Sequence, residues 1–200
     1  MSNILHKMIG EFSKSNGFMK LVYINITFFI MYTIIFVPQT ISGHIPIAIF
    51  TDNHLAFSSQ NKIILENPWT ILSYMFVHKE LFHILPNMIF LYFGGKLFLQ
   101  NFNNKQLISV YILGGICGAI FFKIIFNISN GIFDETKPLI GASAGVFAII
   151  VAIATHKPNF KIPLLFIGNT KLKHICWFAI ILFYIGIGNQ NNAGGNIAHL

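Results

Sequence analysis

The 200 residues predict an all-α bundle of membrane-spanning helices, and three observations carry that prediction. Apolar residues make up 54% of the chain and charged residues only 10%, against about a quarter charged in a soluble domain. Thirteen basic and six acidic side chains are too few to cover the surface of a soluble fold of this size. The apolar residues also gather in runs near the roughly 20 residues that one crossing needs, with room for about six crossings. Finally, every basic residue is a lysine, and the lysines concentrate in alternate loops, as cytoplasmic anchors do. They form no compact basic run, so the net charge of +7 does not call for a nucleic-acid partner. Cys117 and Cys176 both lie inside apolar runs, which suggests neither a disulfide framework nor a thiol metal site.

The elements follow in order. Residues 1–18 are polar and mixed, with no apolar run long enough for a signal-peptide core, and read as a short cytoplasmic N-terminal segment. Residues 19–200 form the membrane domain. Its first span runs from about Leu21 to Val37 and is closed by Pro38. From Gln39 to about Pro68 the chain is too polar to cross, and a loop of that length is often functional. Trp69 to Val77 is short and apolar with aromatics near both ends, which suits an interfacial segment. Further spans are expected at Leu81–Leu99, Leu107–Ile128, Leu139–Ala154 and Ile175–Ile187. A sixth begins near Asn191 and meets the chain end at Leu200. Ten residues rise only about 15 Å, half a bilayer core, so the sixth helix reads as a re-entrant stub or, the favoured reading, as truncated.

Orientation follows from the lysines. With the N-terminus inside, nine lysines fall in inside segments and four in outside segments, the bias of the positive-inside rule. The second, fourth and sixth helices then all run from outside to inside.

Polar groups within a bilayer are costly, so each invites a role and a partner. Three clusters stand out: His78, His83 and Asn87 at the start of the second helix, Gly141-Ala142-Ser143-Ala144-Gly145 at the start of the fourth, and Gly194-Gly195-Asn196-Ile197-Ala198-His199 in the sixth. Taken singly, a serine among glycines is most often packing and a histidine near a helix end most often interfacial. Together they lie in the first half of even-numbered helices, at similar depth on one side. His83 and Asn87, four apart, share one helical face. Ser143 is then a candidate nucleophile and His199 its general base, neutral at rest. His83, Asn87 and the Ser143 amide are candidate oxyanion donors. Gly141 and Gly145 make a small-xxx-small pair. Gly195, one turn before His199, suggests a glycine-lined contact between the fourth and sixth helices that brings histidine to serine. No acid is placed to complete a triad. His78 and His83 are five apart and do not form a His-Glu-x-x-His zinc motif, so no metal and no cofactor is expected. A channel or transporter fits less well, because no internal repeat is evident and the polar groups collect on one side.

These residues resemble the rhomboid intramembrane serine proteases. The resemblance spans Pro68 to the end: Pro68-Trp69, the His78-x4-His83-x3-Asn87 spacing, Gly94-Gly95, Gly141-x-Ser143 and Ala198-His199. It implies a rhomboid-type bundle of six transmembrane helices with a water-filled cavity open to the outside. It also implies a catalytic dyad of Ser143 and His199, oxyanion assistance from His83 and Asn87, and site support from His78, Trp69, Gly141, Gly145 and Gly195. The long first loop would resemble the family's membrane-embedded first-loop structure, and the fifth helix with the loop following it the family's substrate entrance. The implied partners are transmembrane protein substrates and the lipid bilayer, with the chain in the plasma (inner) membrane and the active site extracytoplasmic. A non-proteolytic scaffold of the same family is the alternative, though a scaffold needs neither Ser143 nor His199. Three positions depart from the family pattern: Ala144 where glycine commonly follows the serine, Thr70 where many members carry arginine, and Pro86 directly before Asn87. The Ala144 methyl is expected to narrow the oxyanion site, and Pro86 to kink or loosen the second helix.

Overall fold

A computed structural model of the chain describes residues 2–43, 46–129, 138–164, 168–186 and 193–199. A backbone in lipid must satisfy its own N–H and C=O groups, so long apolar runs are helical. Chain order is α1 (Ser2–Lys14), α2 (Gly17–Ile41), α3 (Pro46–His54), α4 (Asn61–Glu66), α5 (Thr70–Ser73), a 3-10 turn (Tyr74–Phe76), α6 (Leu81–Phe98), α7 (Asn104–Ile128) and α8 (Ser143–His156). A hairpin, β1 (Lys161–Leu164) and β2 (Gly168–Lys171), precedes α9 (Leu172–Gly186) and α10 (Ala193–Ala198). Among the described residues, three helices are long and apolar enough to cross a membrane, over Gly17–Gln39, Leu81–Phe98 and Asn104–Ile128, and Ser143–His156 and Leu172–Ile185 are shorter apolar helices. The chain is a mostly helical membrane protein.

The middle of the bundle is α7, which packs against α8, α10 and α2, while α6 packs against α8 and α2. Asn103 and Gln106 start α7 with a reciprocal capping box, at 3.0 and 2.9 Å, which satisfies two of its orphan amides. Tyr74, Met75, Tyr111, Phe122 and Ile149 are almost fully buried where these elements meet. Large apolar side chains on the outer faces, such as Phe28, Ile34, Phe93 and Leu113, stay exposed, as suits contact with lipid.

Several boundaries differ from those expected. Residues 2–14, expected only as a polar segment, form helix α1. Pro38 does not close the first span; α2 continues to Ile41. The long first loop contains α3 and α4. It is pinned to the bundle by a short antiparallel bridge, Phe57 N–H to Leu139 C=O at 3.0 Å and the reverse at 2.7 Å. The Trp69–Val77 stretch is not interfacial throughout: Tyr74 and Met75 are buried, and the Tyr74 hydroxyl donates to the Gly115 carbonyl at 2.7 Å. A buried backbone needs such partners. The fourth helix starts at Ser143 rather than Leu139, because Leu139 is paired with Phe57 of the first loop and the Gly141 amide with the Tyr74 carbonyl. The antiparallel hairpin, paired from Lys161 with Lys171 to Leu164 with Gly168, is an element the all-α reading lacked. Pro86 leaves α6 unbroken from Leu81 to Phe98. The fifth helix is three residues longer at its start than expected, and Ile187 and Leu200 lie outside the described residues.

Candidate active site

The site is assembled from the start of α8. Gly141 takes a φ of +107°, a conformation that residues with a Cβ rarely adopt. Its amide donates to the Tyr74 carbonyl at 2.9 Å. The amide of Ala142 donates to Nε2 of His78 at 3.3 Å, so a buried imidazole stands in for a side-chain cap. The first bond of the helix is Val146 N–H to Ala142 C=O, at 3.0 Å. Ser143 therefore sits in the first turn, where amides lack intrahelical acceptors and the helix dipole favours negative charge.

His199 follows directly after α10, and its Nε2 is hydrogen-bonded to Ser143 Oγ. In the tautomer that accepts the hydroxyl proton, the ring proton lies on Nδ1, which is buried and has no hydrogen-bond partner among the described residues. The ring is held instead by Phe183 of α9, with centroids 4.4 Å apart, and Phe183 in turn meets Phe147 of α8 edge-on at 5.1 Å. On the other side α10 reaches α7 at Gly118, where an added Cβ would come within 2.7 Å of the Ala198 carbonyl and 2.8 Å of the Ala144 methyl.

His83 and Asn87 occupy α6, across from the serine. The His83 ring packs on Gly141, where a Cβ would come within 2.6 Å of Nε2. The Asn87 amide donates one hydrogen to the His83 carbonyl at 2.8 Å, leaving a second N–H. A cavity of about 810 Å³ joins Ser143, His199, His83, Asn87 and Gly195, with Phe90, Phe147 and Phe183 in its wall and Asp52 and Lys79, an ion pair, at its margin. Small residues at the site, donors along one wall and an apolar remainder make a place where a peptide carbonyl can be held beside an activated hydroxyl.

The other site candidates have supporting positions. His78 is buried and lies 5.0 Å from His83, ring to ring. Burial first, and His83 second, push its pKa down to about 3. Trp69 is half exposed and stands apart from the cavity, donating from Nε1 to the His54 carbonyl at 2.7 Å within the first loop. Gly145 does not face the sixth helix as expected. An added Cβ there would meet the Tyr111 carbonyl at 2.6 Å and Met75 at 3.0 Å, so this glycine serves the packing of α8 on α7. The Ala144 methyl points to Gly118 and does not line the cavity, so it does not narrow the oxyanion site. Thr70 is buried and donates to the Asn67 carbonyl at 2.7 Å, which closes the turn before α5. Among the described residues, no three His, Cys, Asp or Glu side chains converge as metal ligands. Sequence reasoning missed Phe183 and Gly118. Nothing distinguishes one of 22 phenylalanines or 16 glycines before the fold sets it beside the histidine.

Comparisons with known proteins supply the family. The Rhomboid domain family model matches residues 65–200. The chain is 36% identical over 143 residues to RHOMBOID-like protein 12, mitochondrial, of Arabidopsis thaliana, which covers 66% of this chain and 42% of that protein. It is 31% identical over 85 residues to Rhomboid-related protein 2 of Mus musculus, covering 42% of this chain and 26% of that protein. RHOMBOID-like protein 7 of Arabidopsis thaliana is 27% identical over 85 residues, covering 42% of this chain and 25% of that protein. The chain thus spans less than half the length of these curated relatives. With more than half of its residues matched by the family model, the chain belongs to the Rhomboid domain family of membrane proteins.

Proposed function

We propose that the protein is an intramembrane serine endopeptidase of the rhomboid type, cleaving peptide bonds in or near transmembrane segments of membrane proteins. The observation that carries this reading is the contact between Ser143 Oγ and His199 Nε2, made by residues 56 positions apart. Ser143 Oγ attacks the scissile carbonyl carbon while its proton passes to Nε2 of His199. The oxyanion is met by the Ser143 amide, the His83 ring and the remaining N–H of Asn87. The imidazolium then protonates the leaving amine and the C–N bond breaks. Water, deprotonated by the same imidazole, hydrolyses the acyl ester and frees Ser143. Among the described residues no carboxylate pairs with the His199 ring, so the reading is a dyad.

Suitable substrates have segments that unwind readily, with small or helix-breaking residues near the outer end, because helical carbonyls are already hydrogen-bonded. The reading includes six crossings, a cytoplasmic N-terminus, a cavity facing the extracytoplasmic side and residence in the plasma (inner) membrane. The test is labelling of the full-length protein with a fluorophosphonate probe beside a Ser143→Ala control. Labelling of the wild type alone is the expected result. Equal labelling of both removes Ser143 as the activated nucleophile, and labelling of neither favours a scaffold that binds helices without cutting them.

A further inference from the structure

Helix α1 is not accounted for by the site. By register, Ile9 and Phe12 fall on one side of it, and Lys7, Glu11 and Lys14 on the other. Ile9 and Phe12 are exposed, so the bundle does not cover this apolar face. The helix also turns away from its neighbour. The helix is interrupted at Ser15 and Asn16, and the Phe12 ring then lies 6.3 Å from the Tyr23 ring. Residues eleven apart in one continuous helix would stand about 16 Å apart along its axis. Lys20 Nζ sits 5.8 Å over the same Phe12 ring. Thus α1 is held off the axis of α2 at the end of the bundle.

That end is strongly basic. The Gly17 amide donates to Asn104 Oδ1 at 2.6 Å, which brings the start of α2 beside the start of α7. Phe102 meets His156 at 4.8 Å, which adds the end of α8. Lys7, Lys14, Lys20, Lys96, Lys105 and Lys157 therefore gather here against one acid, Glu11, among the described residues. The Ser143 cavity lies at the opposite end of α8.

We propose that α1 is an interfacial helix that seats on an anionic lipid surface. Helix α2 likewise exposes apolar side chains, Ile26 and Phe28 among them, so both helices present apolar surface suited to lipid. Lys7 and Lys14 on the outward face reach the headgroup phosphates, and the surrounding lysines add to the same field. This is independent of the proposed catalysis.

The test reconstitutes the full chain, with Cys117 and Cys176 replaced by serine, into nanodiscs of phosphatidylcholine with or without phosphatidylglycerol. A single cysteine at Ile9 or Glu11 carries an environment-sensitive NBD fluorophore. The label at Ile9 should shift to the blue and resist iodide quenching in anionic discs, and do so less in zwitterionic ones. The label at Glu11 should stay accessible in both. Lys7→Gln and Lys14→Gln should each move the seated-to-lifted ratio at Ile9 by roughly fivefold. Accessibility at Ile9 in both lipids overturns the proposal. So does equal protection in both lipids with no response to the lysine variants, since that shows shielding without charge recognition.

Discussion

His78 shows how a single residue outside the reacting pair can set the geometry of the nucleophile. Its Nε2 accepts the amide immediately before Ser143, and the ring is buried. His78→Ala leaves that buried amide unpaired, at a cost of about 1–3 kcal/mol, readable as a lower thermal unfolding midpoint in detergent. His78→Gln restores an acceptor and should recover most of the loss; an equally low midpoint for both variants refutes the capping role. The pH dependence has a definite sign. The folded pKa of His78 is about 3, below its ordinary 6.5, so at pH above 6.5 both folded and unfolded chains hold it neutral and its contribution is complete. As pH falls from 6.5 towards 3, the unfolded chain takes up a proton that the folded chain refuses, and stability declines. The acid-side slope of stability should therefore be shallower in His78→Gln than in the wild type. Phe183 acts on the other reacting residue. Phe183→Ala removes the ring against His199, and loss of alignment should slow cleavage of a helical reporter by up to about 100-fold. The unfolding midpoint should stay nearly unchanged, because Phe183 lines an existing cavity. Undiminished turnover would show that the imidazole needs no ring behind it.

At the scale of elements, the site depends on how closely α7 is approached from two sides. Glycines make this possible, since backbones must come together where helix association rests on packing rather than on exclusion of water. Gly145 lets α8 lie on Tyr111, and Gly118 lets α10 lie on α7 beside Ala144. Two alanine variants separate stability from alignment. Gly145→Ala forces a methyl against the Tyr111 carbonyl and should lower stability by about 1–3 kcal/mol. Gly118→Ala pushes against the Ala198 carbonyl, one residue before His199, and should abolish reporter cleavage before it unfolds the bundle. Normal cleavage by Gly118→Ala would mean that α10 can move without separating His199 from Ser143. These helix contacts were only partly legible. Gly141-x-x-x-Gly145 suggests one close approach by a helix, yet Gly141 lies before α8 against the His83 ring and only Gly145 meets α7, because the spacing says that something packs there without saying what.

For the whole molecule, the lysines define two ends. Lys14 and Lys157 lie at the basic end and Lys62 in the first loop, which is bridged to the start of α8. Single cysteines at these positions, in a background with Cys117 and Cys176 replaced, should report the orientation. An impermeant maleimide added to intact cells is expected to label Lys62→Cys and to spare Lys14→Cys and Lys157→Cys until the membrane is opened. The reverse pattern would invert the proposed topology and put the cavity on the cytoplasmic side.

From composition and order alone come a membrane protein, the approximate positions of its long helices and the four polar residues that face one cavity. Ser143, His199, His83 and Asn87 are legible because a polar group in an apolar run is conspicuous whatever it touches. Helix α1 escaped notice because its apolar and polar faces cancel when residues are averaged along the chain, and only their register separates them. The start of α8 was misplaced because Leu139 is as apolar as the helix that follows; its bridge to Phe57 joins residues 82 positions apart. The hydrogen bond from the Ala142 amide to His78, the ring of Phe183 and the closeness of α10 to Gly118 belong to the tertiary structure. Each is a contact between distant segments of unremarkable composition, decided by which surfaces pack together and not by any local preference of the chain.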